Sequence, residues 1–377
     1  MHAALRSAQV DWRDPDALES LHAQMGAGKF AFVGLFVTPE ADFAAVVAAA
    51  QDKFTDTCVC ACTTAGELGS AGYEDGRIVA VGLPAAHFAT ASYVINDLHA
   101  LEPQAQIDRL IQTRMALSRA WPRMGQEFAF VMIDGLSLAE EHLTSVLSTG
   151  LGPVPLFGGS AGDGTRFSTA WLACDGVVSR NSAVITLVRT TCPVRVFSLD
   201  HLMPTDRRMV VTGADPARRI VHEINAEPAA QEYARLLGKD PQQLDPFTFA
   251  AHPVVVRLGE SHHVRAIQRV DEDGNLVFFS AINEGMVLTL ADHQDMAEHL
   301  ERGLAELAVD GAPDQILGCD CILRRIEAGQ TQKSREISRI LSENRVVGFG
   351  TYGEQIGGLH VNQTFTGVAI YPPATES

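Results

Sequence analysis

Two runs of cysteine stand out among the seven in the chain, Cys58-Val59-Cys60-Ala61-Cys62 and Cys319-Asp320-Cys321. Side chains two apart on a strand share a face, so either run could grip a soft metal ion or close into a strained disulfide. Structural zinc prefers four ligands, usually in C-x₂₋₄-C pairs, and neither run has that spacing. Thiols buried as small apolar groups are the simpler reading. Thirteen histidines are the next candidates. His201 precedes Met203-Pro204, His252 precedes Pro253, and His360 falls in Gly357-Gly358-Leu359-His360-Val361-Asn362-Gln363-Thr364. Neutral imidazole ligates iron, zinc or copper and serves equally as a buried hydrogen-bonder. There is no H-E-x-x-H, and His293-Gln294-Asp295 and His299-Leu300-Glu301 put their members two apart, where residues on a helix do not face each other. The absence of C-x-x-C-H removes covalent haem and leaves non-covalent haem open.

Ser160, in Gly158-Gly159-Ser160-Ala161-Gly162, is not in a G-x-S-x-G elbow and has no marked base. A thiol-dependent enzyme built on Cys321 is the remaining catalytic alternative. The glycines from Gly158 to Gly164 read as a loop after a strand, and Thr63-Thr64-Ala65-Gly66-Glu67 also follows a strand, where open α/β sheets bind ligands. Neither run has a phosphate-loop lysine or dinucleotide spacing. With Gly348-Phe349-Gly350-Thr351-Tyr352-Gly353-Glu354, whose close-set glycines let the backbone approach a ligand or turn sharply, they are candidates to line a ligand cleft. Its candidate residues are Thr63, Thr64, Gly158, Gly159, Ser160, Tyr352 and Glu354. Tight turns and helix caps explain the same residues structurally. Arg324 or Arg325 could pair with a ligand carboxylate, or form a buried ion pair with Glu336 or Glu354.

The elements that must position these groups alternate. Apolar runs such as Ala31–Val37, Phe128–Ile133 and Gln315–Leu323 predict buried strands, while residues 41–53, 104–120, 138–147, 291–309 and 332–343 carry helical periodicity. Strands alternating with helices predict an α/β fold. The turn-rich His201-Leu202-Met203-Pro204-Thr205-Asp206 predicts a boundary between domains 25–200 and 201–371, both mixed α/β and packed against each other. No fixed-period repeat is visible.

With 377 residues, 29 basic against 46 acidic side chains and a formal net charge of −17, the chain has no basic footprint for nucleic acid or an anionic membrane surface. No run is long and apolar enough for a bilayer span. The N-terminus does not read as a signal peptide, and the odd thiol count suits a reducing compartment. A cytoplasmic protein is expected, and a homo-oligomer is compatible with the sequence.

Taken together, Thr63–Glu67, Phe157–Asp163, Cys321 with Arg324, and Gly348–Glu354 followed by Asn362-Gln363-Thr364 resemble the FIST domain family. These are bacterial sensory modules with an N-terminal and a C-terminal FIST part. Within it, the chain is similar to stand-alone nitric-oxide sensors that bind haem and act on a partner histidine kinase in two-component signalling. The resemblance thus implies non-covalent haem b, nitric oxide as ligand, a histidine kinase as partner, and no catalysis. For the haem iron, His201 is the first choice because a boundary ligand could report to both domains. His252 and His360 come second, a Cys319 or Cys321 thiolate third, and Arg324 or Arg325 would hold a propionate. Sensing of a small polar metabolite, such as an amino acid, in the cleft of Thr63, Thr64, Gly158–Gly164 and Gly350–Glu354 is the alternative that the same resemblance implies.

Overall fold

The computed structural model describes residues 4–258 and 261–373. Three strands, Phe30–Val37, Gln126–Asp134 and Gln315–Cys321, are apolar along nearly their whole length and buried on both faces, the pattern of a covered parallel sheet. Each is followed by helix and returns as a parallel partner. Phe30–Val37 pairs with Cys58–Thr63 around helix Phe43–Lys53, and Gln126–Asp134 with Leu156–Ala161 around helix Glu140–Leu151. Gln315–Cys321 pairs with Val346–Thr351 around helices Ile322–Gln330 and Ser334–Glu343. Asp42 starts the first of these helices by accepting from Ala45 N at 3.1 Å.

Two antiparallel strands complete each unit on the other side. They are Arg77–Pro84 with Arg6–Asp11, Ala183–Thr190 with Phe88–Ile95, and Phe365–Ile370 with Val194–Leu199. The last place in each sheet is filled by a hairpin from another unit. The hairpin Leu172–Cys174/Val177–Ser179 joins Cys58–Thr63, Glu354–Ile356/Leu359–Val361 joins Leu156–Ala161, and Glu67–Gly69/Gly72–Glu74 joins Val346–Thr351. The exchange closes a circle of three related units. The absence of a fixed sequence period therefore hides a structural triplication, because a fourth sheet interrupts the third unit.

The inner faces of the three sheets share one core, where Phe36 stacks on Phe349 at 4.5 Å and meets Phe130 edge-on at 6.5 Å. Helices cover the outer faces. At one end, three [ST]-x-G-[DE] turns, Thr64–Glu67, Ser160–Asp163 and Thr351–Glu354, close a ring. Ala65 N donates to Gly350 O at 2.8 Å, Ser160 N to Gly353 O at 2.8 Å, and Gly162 N to Thr63 O at 3.3 Å. Each turn thereby binds the strand end of its neighbour.

The fourth sheet runs from Leu202 to His293, with helices Ala229–Leu237 and Pro246–Ala251 and its own apolar cluster. Buried Arg219 docks it on the second unit, its Nη2 donating to Glu140 and Glu141 at 2.6 Å each. Mixed α/β architecture in both parts of the chain, packed against each other, agrees with the expectation. Two local readings are corrected. Gly158–Ala161 is not loop but the end of a strand; a side-chain carbon at Gly158 would lie 1.9 Å from Val131 O, so glycine serves close strand approach. The segment after His201 is not a turn but the long strand Leu202–Asp215, with Pro204 accommodated where the register slips.

Candidate ligand-binding site

An open cleft of about 650 Å³ lies beside the ring, walled by the turns of the first two units and by helix Ile322–Gln330 of the third. Its glycines follow from the turn geometry. Gly66 has φ +110°, and a side-chain carbon there would fall 1.9 Å from Arg325 Nη1. A bare backbone is what lets the guanidinium rest on the turn. Arg325 also donates to Glu74 O at 3.0 Å and to Asp75 Oδ2 at 2.8 Å, and it lies over the Tyr73 ring. Because the Asp75 side chain is 83% exposed, that ion pair is weak in water and open to exchange for another carboxylate. Arg13 and Arg166 add positive charge to the walls, and Glu40 and Asp75 add negative charge. Asp163 holds the far wall in shape. Burial works against its ionisation, but hydrogen bonds from Ser168 and Tyr352 outweigh this and keep its carboxyl below the usual range.

Behind the cleft, the same helix carries a buried charged network. Arg324 Nε donates to Asp320 Oδ1 at 2.6 Å, and Tyr73 donates its hydroxyl proton to Asp320 Oδ2 at 2.5 Å. Arg324 Nη1 lies 3.1 Å from His201 Nδ1; His201 Nε2 and His293 Nδ1 each lie 2.8 Å from Glu327 Oε1. Arginine can only donate, so the His201 proton belongs on Nε2, shared with Glu327. Burial, with the Arg324 charge beside it, holds His201 below its ordinary pKa and neutral, although its bond to Glu327 opposes this. Glu327 is drawn down to about 2, its hydrogen bonds from the two histidines overcoming the burial penalty. His201, His293 and Glu327 are close enough to share a metal ion, but His201 Nε2 offers a lone pair only if Arg324 gives up Nδ1.

The same test applies to haem. His201 has both ring nitrogens engaged and sits among charges rather than in an apolar slot. His360 is fully buried, its Nδ1 3.1 Å from Gln355 Nε2, and a carbon on Gly353 would lie 2.4 Å from its Cε1, leaving no room for a macrocycle. Cys319 and Cys321 are fully buried in separate apolar clusters, and burial pushes both thiols well up. These residues do not fit haem. His252 has a half-buried ring on the inserted segment. Arg324 is spent inside the network, whereas Arg325 borders the cleft.

Of the residues expected to form a cleft, Thr64, Ser160, Tyr352 and Glu354 are instead sealed inside the ring. Thr64 Oγ1 donates to Glu67 Oε1 at 2.5 Å, Thr351 donates likewise to Glu354, and Ser160 Oγ accepts from Gln355 Nε2 at 3.0 Å. Gly158 and Gly159 pack against neighbouring strands, and Thr63 borders a smaller hollow of about 290 Å³. Their sequence neighbours Ala65, Gly66, Asp163 and Gly164 face the cleft. A nucleophilic role for Cys321 or Ser160 meets the same obstacle, since both are wholly buried. Sequence reasoning missed Glu327 and the pairing of His293 with His201, which are brought together from distant parts of the chain. The four-residue spacing of Asp320 and Arg324 was the one local signal.

The thiols that do meet are Cys58, Cys60 and Cys174. Cys60 Sγ lies 3.8 Å from Cys58 Sγ and 3.6 Å from Cys174 Sγ. Hydrogen bonds from the Cys174 and Cys60 thiols bring Cys58 down to about 3.

Among the described residues no helix is long and apolar enough to cross a membrane. Two family models match the chain: the FIST N domain over residues 31–227, more than half of the sequence, and the FIST C domain over residues 229–357. No curated protein matches it.

Proposed function

The chain belongs to the FIST family, whose domains are signal-transduction sensor domains rather than catalytic ones, and from that premise we propose that it senses a small polar molecule bearing a carboxylate, an amino acid being the simplest. The observation that carries this reading is Arg325. Its guanidinium faces an open cleft of mixed charge, and its partner there, Asp75, is largely in water. A bidentate carboxylate can replace such a partner at little cost. The neighbouring Arg324 and Glu327 sit on the same helix and bond to His201 at the start of the inserted sheet. A ligand that shifts this helix therefore acts on the contact between the ring and the inserted sheet, the two-state element a sensor requires.

The test is thermal unfolding of the full chain against a panel of free amino acids and small carboxylates. A true ligand raises Tm saturably, with about 2.7 kcal/mol of stabilisation at a hundredfold excess over Kd, and Arg325→Ala abolishes the rise. A panel without effect, or a rise that survives Arg325→Ala, overturns the reading.

Haem-based nitric oxide sensing, with a histidine kinase as partner and a cytoplasmic setting, is the second reading and rests on the family resemblance. An ultraviolet–visible spectrum with added haem and nitric oxide separates the two. A one-to-one Soret band that shifts with nitric oxide and is lost in His252→Ala favours haem. No band leaves the small-carboxylate sensor.

A further inference from the structure

Cys58 and Cys60 lie two apart on strand Cys58–Thr63, so their side chains leave it on one face. Cys174 belongs to the hairpin donated by the second unit, and the antiparallel register sets it directly opposite Cys60. Two strands from different units thus bring three sulfur atoms to one point, all within 4.8 Å of one another. Four-coordinate zinc binds thiolate at about 2.3 Å, which separates two ligand sulfurs by about 3.8 Å in a tetrahedron. The two Sγ separations from Cys60, 3.8 and 3.6 Å, fit that requirement.

We propose that Cys58, Cys60 and Cys174 form a three-thiolate site for a zinc ion. Cys60 and Cys174 are buried while Cys58 is only partly so, which gives the ion its way in and leaves a fourth position on the solvent side for water. Each thiol still protonated gives its proton to solvent as the ion binds. Ordinary core packing does not ask for this convergence: Cys62, Cys192, Cys319 and Cys321 are equally buried, and among the described residues none of them joins such a group. The site would staple the second unit's hairpin to the first unit's sheet, one of the three exchanges that close the ring. Metal occupancy would then govern how firmly those units hold together.

The full chain, reduced and stripped with a chelator, is titrated with Co²⁺ as a spectroscopic probe and then with Zn²⁺. One equivalent of Co²⁺ is expected to produce a near-ultraviolet thiolate charge-transfer band and the intense visible bands of a tetrahedral ion, both displaced by Zn²⁺. Cys58→Ser, at the least buried of the three positions, weakens binding by more than ~100-fold, beyond the loss caused by outer-shell changes, while Cys321→Ser leaves it intact. On the unmodified protein, Zn²⁺ protects Cys58 from alkylation. The proposal is overturned by a Co²⁺ spectrum without charge transfer, by bands that persist in Cys58→Ser, by Cys58 alkylation that Zn²⁺ does not slow, or by a Cys60–Cys174 disulfide in freshly isolated protein.

Discussion

Glu67 and Glu354 occupy equivalent places in two of the ring's turns, each facing a threonine hydroxyl. Burial pushes Glu67 up to about 7 and Glu354 up to about 8. A carboxyl whose folded pKa is raised favours the fold while neutral. Its contribution is therefore complete below the unfolded value of about 4.5 and drains away as pH climbs through 7 and 8. Glu327, held near 2, acts oppositely, and its contribution is lost as pH falls from the ordinary carboxylate range toward 2. Thermal melts should show Tm falling between about pH 5 and 8, and the double variant Glu67→Gln/Glu354→Gln should flatten that slope. An unchanged slope would mean that these carboxyls are ionised in the fold. In the buried network, Glu327→Ala leaves His201 and His293 without their shared acceptor, and urea unfolding should register a loss of about 1–3 kcal/mol.

Among the elements, the paired strands at the middle of the second and third units approach closely enough to exclude side chains at chosen points. A carbon at Gly158 would meet Val131 O at 1.9 Å, and one at Gly348, with φ +150°, would meet Gly318 O at 1.8 Å. Backbone atoms in a paired strand cannot move aside as a side-chain tip can. Gly158→Ala and Gly348→Ala should each cost at least the 1–3 kcal/mol typical of overpacking, roughly. Gly238, the cap of helix Ala229–Leu237 with φ +68° in the left-handed helical region and open space around it, provides the control. Gly238→Ala should cost only about 1 kcal/mol of backbone strain. Equal losses at all three positions in denaturant titrations would show that the strand contacts relax freely.

The whole molecule is held together by exchange. The second unit's sheet needs the hairpin Glu354–Ile356/Leu359–Val361 from the far end of the chain, while the first unit's hairpin Glu67–Gly69/Gly72–Glu74 needs Val346–Thr351 to receive it. A fragment of residues 1–200 therefore carries an unfilled sheet edge and an unpaired hairpin, both liabilities for a soluble fold. It should lack the near-ultraviolet circular dichroism of the full chain and aggregate, whereas the ring of the full chain should unfold in one cooperative calorimetric transition. A monomeric, native-like fragment would show that the units close independently.

Strand and helix types, the mixed α/β class and the FIST resemblance were legible in the sequence, because side-chain periodicity and turn residues act over a few positions. Gly66, Gly162 and Gly353 were also visible as turn glycines. Their joint role as a ring was not, since each turn bonds to a strand end of another unit. The same holds for chemistry. Arg325 was singled out by type, but its place on the cleft, and that of Arg324 within a buried network, depend on which face of one helix meets the ring. Cys58 and Cys60 announce themselves by spacing; Cys174 joins them only because a hairpin from another unit completes their sheet. Local patterns decided what each segment becomes, and the long-range pairing of segments decided which of their side chains meet.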